Sequence, residues 1–154
     1  MHEKILIPLD GSKTGEAALP YVEDLVSKLA PEVKTEIVLL QVLSPIAPVV
    51  QAGVAEYARQ HTSEQMEEIN KKATEYLTAT GETLKSKGAT VTIKVAVGDA
   101  SEEIVKTAED IDANLIAMST HGRSGLSRWA FGSVTDRVLR HEAHIPIAMI
   151  RAPK

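Results

Sequence analysis

From residue 119 to residue 135 the chain reads Ser119-Thr120-His121-Gly122-Arg123-Ser124-Gly125-Leu126-Ser127-Arg128-Trp129-Ala130-Phe131-Gly132-Ser133-Val134-Thr135. Three of the nine glycines, a series of hydroxyls and two arginines fall in this one segment. Glycine has no Cβ, so its backbone N–H can come close to an anion. Gly132-Ser133 then opens a predicted helix, and the unpaired N–H groups and positive dipole end of a helix start suit a phosphate. The Ser133 hydroxyl can cap that helix or donate to a phosphate oxygen. The chemistry indicated is the holding of a phosphorylated ligand. The plainer alternative is a surface loop followed by a capped helix.

Other candidate groups are sparse. Asp10-Gly11-Ser12 is a turn and helix-start signal, and Asp10 is a carboxylate placed directly after an apolar run. His141 and His144 have i,i+3 spacing, but a helix is expected to end between them, so a zinc site is not expected. Trp129 and Phe131, two residues apart in the loop, are read as anchors that fix it to the core, with a partner surface as the alternative. No G-x4-G-K-[ST], G-x-G-x-x-G or G-x-S-x-G pattern occurs. Phosphoryl transfer needs a metal site and a positioned nucleophile, and no second carboxylate stands at the loop. A dedicated ATPase is therefore not expected.

The elements that must position these groups alternate between two periods. Lys4 to Leu9 is a short β-branched run, followed by Ala17, Ala18, Val22, Leu25, Val26 and Leu29 at helical spacing. Pro20 falls inside that helix, where it is expected to kink it or to cost about 3 kcal/mol. Glu36 to Leu43 is a second buried strand, and residues 44–55 read as an irregular loop. Met66, Ile69, Ala73, Leu77 and Leu84 mark one face of a long helix ending near Gly88. Val91 to Val97 is a third strand, and Asp99 an N-cap with Glu102 three residues on as a capping-box variant. Leu115 to Met118 is a fourth strand, Ser133 to His141 a helix, and Ile145 to Ile150 a fifth strand. Pro146 there suggests an edge position or the strand's start. Strands alternating with helices make right-handed βαβ units in a mainly parallel sheet covered on both faces. Ligands of such sheets bind beyond the carboxyl ends of the strands, at the topological switch point.

Composition narrows the function classes. A chain of 154 residues without a linker, repeat or low-complexity tract is expected to be one α/β domain, 1–154. It has no cysteine, which excludes disulfides and thiol chemistry and fits a reducing cytoplasm. No apolar run approaches the ~18 residues of a membrane span, and the N-terminus lacks the pattern of a signal peptide. A net charge of −4 argues against nucleic-acid binding. The charge is divided, however: residues 1–119 are acidic, whereas 120–154 carry Arg123, Arg128, Arg137, Arg140, Arg151 and Lys154 against Asp136 and Glu142. Arginine forks suit phosphate or carboxylate, so a local anion site stands beside a merely solvated basic face as an explanation.

Ser119-x2-Gly122-x9-Gly132-Ser133 resembles the G-x2-G-x9-G-[ST] nucleotide loop of the universal stress protein family. The resemblance runs over essentially the whole chain, through Ile5-Leu6-Ile7-Pro8-Leu9-Asp10, Leu40-Gln41-Val42, Val97-Gly98-Asp99 and the strand Ile145 to Ile150. It implies an α/β, Rossmann-like (adenine nucleotide alpha hydrolase-like) five-stranded parallel sheet in order 3-2-1-4-5, with helices on both faces. It also implies a cytoplasmic homodimer through the last strand that binds ATP, ADP or AMP in stress-response regulation, with any Mg²⁺ arriving on the nucleotide. Carried over, Asp10 accepts from the ribose hydroxyls, Pro8, Leu9 and Val42 line the adenine pocket, and Met118 and Ser119 pass beside the ribose. Gly122, Arg123 and Gly132 approach the phosphates, joined by Ser133, Val134 and Thr135; Arg128 is added on charge grounds. Ser119 stands where the motif has its first glycine, and its hydroxyl is able to hydrogen-bond the sugar. Two alternatives remain at this point: a slow ATPase, and a dimeric interaction protein whose pocket Ser119 has closed.

Overall fold

Ile5, Leu6 and Ile7 are all buried, which is what a parallel strand covered on both faces requires. They belong to β1 (His2–Pro8), the middle strand of the sheet. The computed structural model describes residues 2–47, 59–120, 133–141 and 144–152. After β1 come a 3-10 turn (Gly15–Ala17), α1 (Ala18–Ser27), β2 (Lys34–Leu43), β3 (Ile46–Ala47), β4 (Arg59–Gln60) and α2 (Ser63–Ser86). The chain continues through β5 (Thr90–Val97), α3 (Ala100–Asp110), β6 (Leu115–Thr120), α4 (Ser133–Arg140) and β7 (Ile147–Arg151).

The main sheet runs β5-β2-β1-β6-β7, and every pairing in it is parallel. Counting its five strands along the chain, the order is 3-2-1-4-5, as expected. One face packs Ile5, Ile7, Ile37 and Leu39 against Val22 of α1 and Leu77 and Leu84 of α2. The other packs Leu6, Val38, Leu40 and Ile116 against Ile104, Val105 and Ala108 of α3 and Val138 of α4. The alternation of side chains along each strand sends neighbours to opposite cores. Among the described residues, no helix is long and apolar enough to cross a membrane.

The helices begin where the capping residues stand. Thr62 Oγ1 accepts from Gln65 N–H at 3.2 Å and Gln65 Oε1 accepts from Thr62 N–H at 2.9 Å, a reciprocal capping box for α2. Asp99 caps α3, accepting from the backbone N–H groups of Ser101 and Glu102. Ala73, Leu77 and Leu84 of the predicted stripe are buried, and Met66 and Ile69 are half-buried.

Three expectations need correction. Pro20 neither kinks nor burdens its helix, because α1 starts at Ala18 and Pro20 therefore lies in the first turn, where backbone N–H groups have no intrahelical partner. Residues 44–55 are not irregular throughout: Ile46–Ala47 pairs antiparallel with Arg59–Gln60, while residues 48–58 lie outside the described ones. The fourth strand extends through Thr120, so Ser119 and Thr120 belong to the sheet and not to the loop after it. Pro146 immediately precedes β7, and β7 is an edge strand, as a proline there suggested.

Candidate functional site

The β1–β2 ladder runs from His2–Lys34 to Pro8–Leu40, whereas the β1–β6 register consists of Ile5–Leu115 and Leu6–Ile116. Leu9 N–H donates to Leu40 O at 2.8 Å. Backbone polar groups alternate sides along a strand, so the preceding position, Pro8, faces β6. Proline offers no N–H there, and a crevice opens at the carboxyl end of the sheet centre, the switch point of this strand order. Pro8 was expected as a wall of the pocket; its part in parting the strands was not.

A cavity of about 140 Å³ occupies that crevice. A single water needs only about 10–15 Å³, so the space is suited to an organic group. Pro8, Leu9 and Asp10 contribute from the end of β1, Val42 from β2, Met118 and Ser119 from β6, and Ser133, Val134 and Thr135 from the first turn of α4. All of these were expected at the site. Gly122, Arg123, Gly132 and Arg128 lie outside the described residues, as do Trp129 and Phe131.

Thr14, Gly15, Leu40, Ala100 and Ile104 also line the cavity and were not anticipated from the sequence. Thr14 and Gly15 come from the 3-10 turn region, and Ala100 and Ile104 from the start of α3. The helix-start signal at Asp99 could have pointed to the α3 pair, because a helix following strand three begins on the same side of the sheet. The walls are largely apolar: Leu9, Leu40, Ile104 and Met118 are all buried.

Asp10 closes the local turn expected of it. Its Oδ1 accepts from Ser12 N–H at 2.9 Å and Ser12 Oγ at 2.6 Å, closing the turn. Gly11 completes that turn at φ +81°, in the left-handed region. Oδ2 takes no hydrogen bond from the described residues and the side chain is exposed at the cavity, so one carboxylate oxygen is free to accept.

Ser119 departs from expectation. Its backbone is regular strand rather than left-handed, so the exchange of the motif's glycine for serine brings no backbone strain. Its Oγ donates to Gly15 O at 2.7 Å and accepts from Ala18 N–H at 2.9 Å. The hydroxyl proton is thus committed to the protein, and donation to a sugar is not available to it. Nor does Ser119 close the pocket, since it stands in the lining of an open cavity.

One carboxylate ties the start of α3 to the last turn of α4. Asp99 Oδ1 caps α3 and accepts from Ser101 Oγ at 2.6 Å, while Oδ2 accepts from Arg137 at 2.8 Å. The Ser101 hydroxyl, the Glu102 backbone N–H and then Arg137 lower the Asp99 pKa to about 2. Arg140 pairs with Asp136 on its own helix, so two arginines of the basic C-terminal stretch neutralise carboxylates instead of presenting a free anion site. Tyr76 of α2 donates to Glu16 Oε1 at 3.2 Å; burial and the Glu16 charge raise its pKa above the ordinary phenol value, so it remains a donor. The described residues hold no cluster of three or more His, Cys, Asp or Glu suited to a metal ion.

Comparison with known proteins agrees with this geometry. The profile of the Universal stress protein family matches residues 1–151. Universal stress protein MJ0577 of Methanocaldococcus jannaschii is 30% identical over 158 aligned residues, covering 98% of this chain and 96% of its own. Universal stress protein MJ0531 of the same organism is 28% identical, covering 100% and 85%. The solved structure of MJ0577 superposes with a TM-score of 0.69, covering 100% of this chain and 99% of that one. Two more distant structures, at 16% and 17% identity, share the fold with TM-scores of 0.66 and 0.64: a universal stress protein in complex with cAMP, and an Arabidopsis thaliana family member with AMP bound. From the parallel sheet, the crevice beside β1 and the match over nearly its full length, the chain belongs to the universal stress protein family.

Proposed function

We propose that this protein binds an adenine nucleotide, ATP in the first instance, in the cavity at the carboxyl end of β1, and that it acts as a nucleotide-dependent regulatory protein of the stress response. The observation that carries the reading is the combination in one cavity of apolar walls, a carboxylate oxygen with no donor among the described residues, and the first turn of a helix. Pro8, Leu9 and Val42 suit an aromatic base. Asp10 Oδ2 suits the ribose hydroxyls, which are donors. The N–H groups of Ser133, Val134 and Thr135 and the hydroxyls of Ser133 and Thr135 suit phosphate, with Gly122, Arg123 and Gly132 completing that end. Mg²⁺ is carried in by the nucleotide. AMP and cAMP in the two structural neighbours give independent support for an adenine ligand.

The proposal extends to a cytoplasmic homodimer formed through β7. Support for the dimer comes from β7 being an edge of the sheet, with Met149 40% exposed on it and Leu139 of α4 38% exposed. Support for the compartment comes from the absence of cysteine.

The test is to purify the protein without added nucleotide, denature it and chromatograph the supernatant. ATP, ADP, AMP and cAMP are then titrated into stripped protein by calorimetry. Co-purified adenine nucleotide that is lost in Asp10→Ala is the expected result. An empty supernatant together with no binding at millimolar concentrations overturns the proposal.

A further inference from the structure

The segment that carries Asp10 is an exposed turn, yet Asp10 sits at the cavity in a defined position. What defines it begins on another strand. Ser119 Oγ makes two partly buried hydrogen bonds across separations of 101 and 104 residues, accepting from Ala18 N–H at 2.9 Å and donating to Gly15 O at 2.7 Å. Because Ser119 lies within the ladder of β6, paired with Ile150, the direction of its side chain is fixed by the sheet.

Gly15 is held from the opposite side as well. Its N–H donates to Ser12 Oγ at 3.0 Å, and Ser12 Oγ donates to Asp10 Oδ1 at 2.6 Å. A Cβ on Gly15 would overlap Asp10 Oδ1 and would lie 3.3 Å from both Asp10 Cγ and Ser12 Oγ. The position of Gly15 therefore sets the position of the Asp10 carboxylate. Two of the turn's own backbone bonds, Glu16 N–H to Ser12 O and Ala17 N–H to Thr14 O, are long at 3.3 Å each, and Ala18 N–H, which also turns toward Glu16 O, shares its proton with Ser119 Oγ. The Tyr76–Glu16 contact at 3.2 Å holds a flexible side chain and not the turn's backbone. The Ser119 pair is the shorter and stiffer restraint.

We propose that Ser119 is a positioning residue of the cavity, whose hydroxyl latches the Asp10–Ala18 turn onto β6 and sets the Asp10 carboxylate in place before a ligand arrives. The latch is a property of the ligand-free protein; its effect on affinity rests on the adenine-nucleotide reading. A turn that must be ordered at the moment of binding weakens apparent affinity by the fraction of time it is competent. Serine at this position restores order by side-chain bonds that glycine cannot make.

Two readouts separate the latch from the ligand. In Ser119→Ala, which removes both bonds, amide exchange at Ala18 in the ligand-free protein should accelerate about tenfold, the effect of losing one ordinary hydrogen bond. The dissociation constant for ATP should rise by about the same factor, through lost preorganisation. Ser119→Gly should behave like Ser119→Ala, and Ser119→Thr, which keeps the hydroxyl, should restore both quantities. A urea titration of each variant reports global stability separately. If Ser119→Ala shifts the urea midpoint but leaves Ala18 exchange and ATP affinity of the folded protein unchanged, Ser119 is only a structural residue and the proposal is overturned. If wild type binds no ATP while the exchange contrast and its rescue by threonine hold, the latch stands and the nucleotide reading falls.

Discussion

Gly15→Ala sets two effects of opposite sign against each other. Gly15 lies in a 3-10 turn without a left-handed φ, so alanine is compatible with its backbone. On conformational entropy alone the substitution should stabilise the protein by about 0.4–1 kcal/mol. Against this, the new methyl would occupy the place of Asp10 Oδ1. That oxygen terminates a short side chain already held by two Ser12 bonds, so it has no slack. Overpacking of this kind costs about 1–3 kcal/mol, and steric crowding outweighs the entropic gain. The expected net is a loss of about 1 kcal/mol, which for a domain of this size lowers the melting temperature by roughly 2–4 °C. Displacement of the carboxylate should weaken ATP binding at least tenfold, beyond what the stability change accounts for. Urea unfolding and calorimetric titration on the same preparation measure the two quantities. A variant that is more stable than wild type and binds ATP equally well would refute the close approach of Gly15 to Asp10 as the determinant of carboxylate position.

Acid sensitivity should be traceable to Asp99, whose folded pKa of about 2 lies below its ordinary value of 3.8. A depressed carboxylate stabilises the fold above the unfolded value and loses that contribution as pH falls through the folded one. Asp99→Asn, which keeps an N-cap, should therefore show a shallower fall in unfolding free energy between pH 5 and 2 than wild type; parallel curves would contradict this. Leu77→Ala removes a fully buried side chain from the core under α2 and should cost about 2–5 kcal/mol by thermal unfolding. A loss below about 1 kcal/mol would mean that α2 packs less closely than described. Ala148→Glu places a charge on the edge strand and should yield monomer or insoluble protein by light scattering. An unchanged dimer would remove β7 as the interface.

The parts of this fold legible in the sequence are those that repeat with a period. The β-branched runs and the Met66 to Leu84 stripe gave strand and helix identities, and their alternation gave the parallel sheet. The long glycine-serine motif gave the family and, with it, the strand order and the residues of β1, β2, β6 and α4 that line the cavity. What was not legible depends on atoms brought together from distant positions. Nothing near Gly15 announces that its Cα packs against a carboxylate, and nothing near Ser119 announces partners on the first helix. The two-residue pairing of Ile46–Ala47 with Arg59–Gln60 is too short to leave a period. Pro20 reads as a helix-interior residue in the sequence because helix-start positions, which tolerate proline, shift by a residue or two when a 3-10 turn precedes the helix.

The central position of β1 has a consequence for how the chain must be assembled during synthesis. The first strand made is flanked on one side by a strand that follows some thirty residues later, and on the other by β6, which pairs with it across a separation of 110 residues, as in Ile5–Leu115. Until β6 has emerged, half of the backbone edge of β1 and the cores beneath it are open, in a chain whose β1, α1, β2, α2, β5 and α3 are already present. The crevice acquires its second wall at the same moment, since Met118 and Ser119 arrive with β6 and the latch to Gly15 and Ala18 cannot exist before them. A nascent chain stopped short of residue 115 is thus an open-edged sheet prone to association. The cavity gains its β6 wall late, in the step that covers the second edge of β1, and its α4 wall later still.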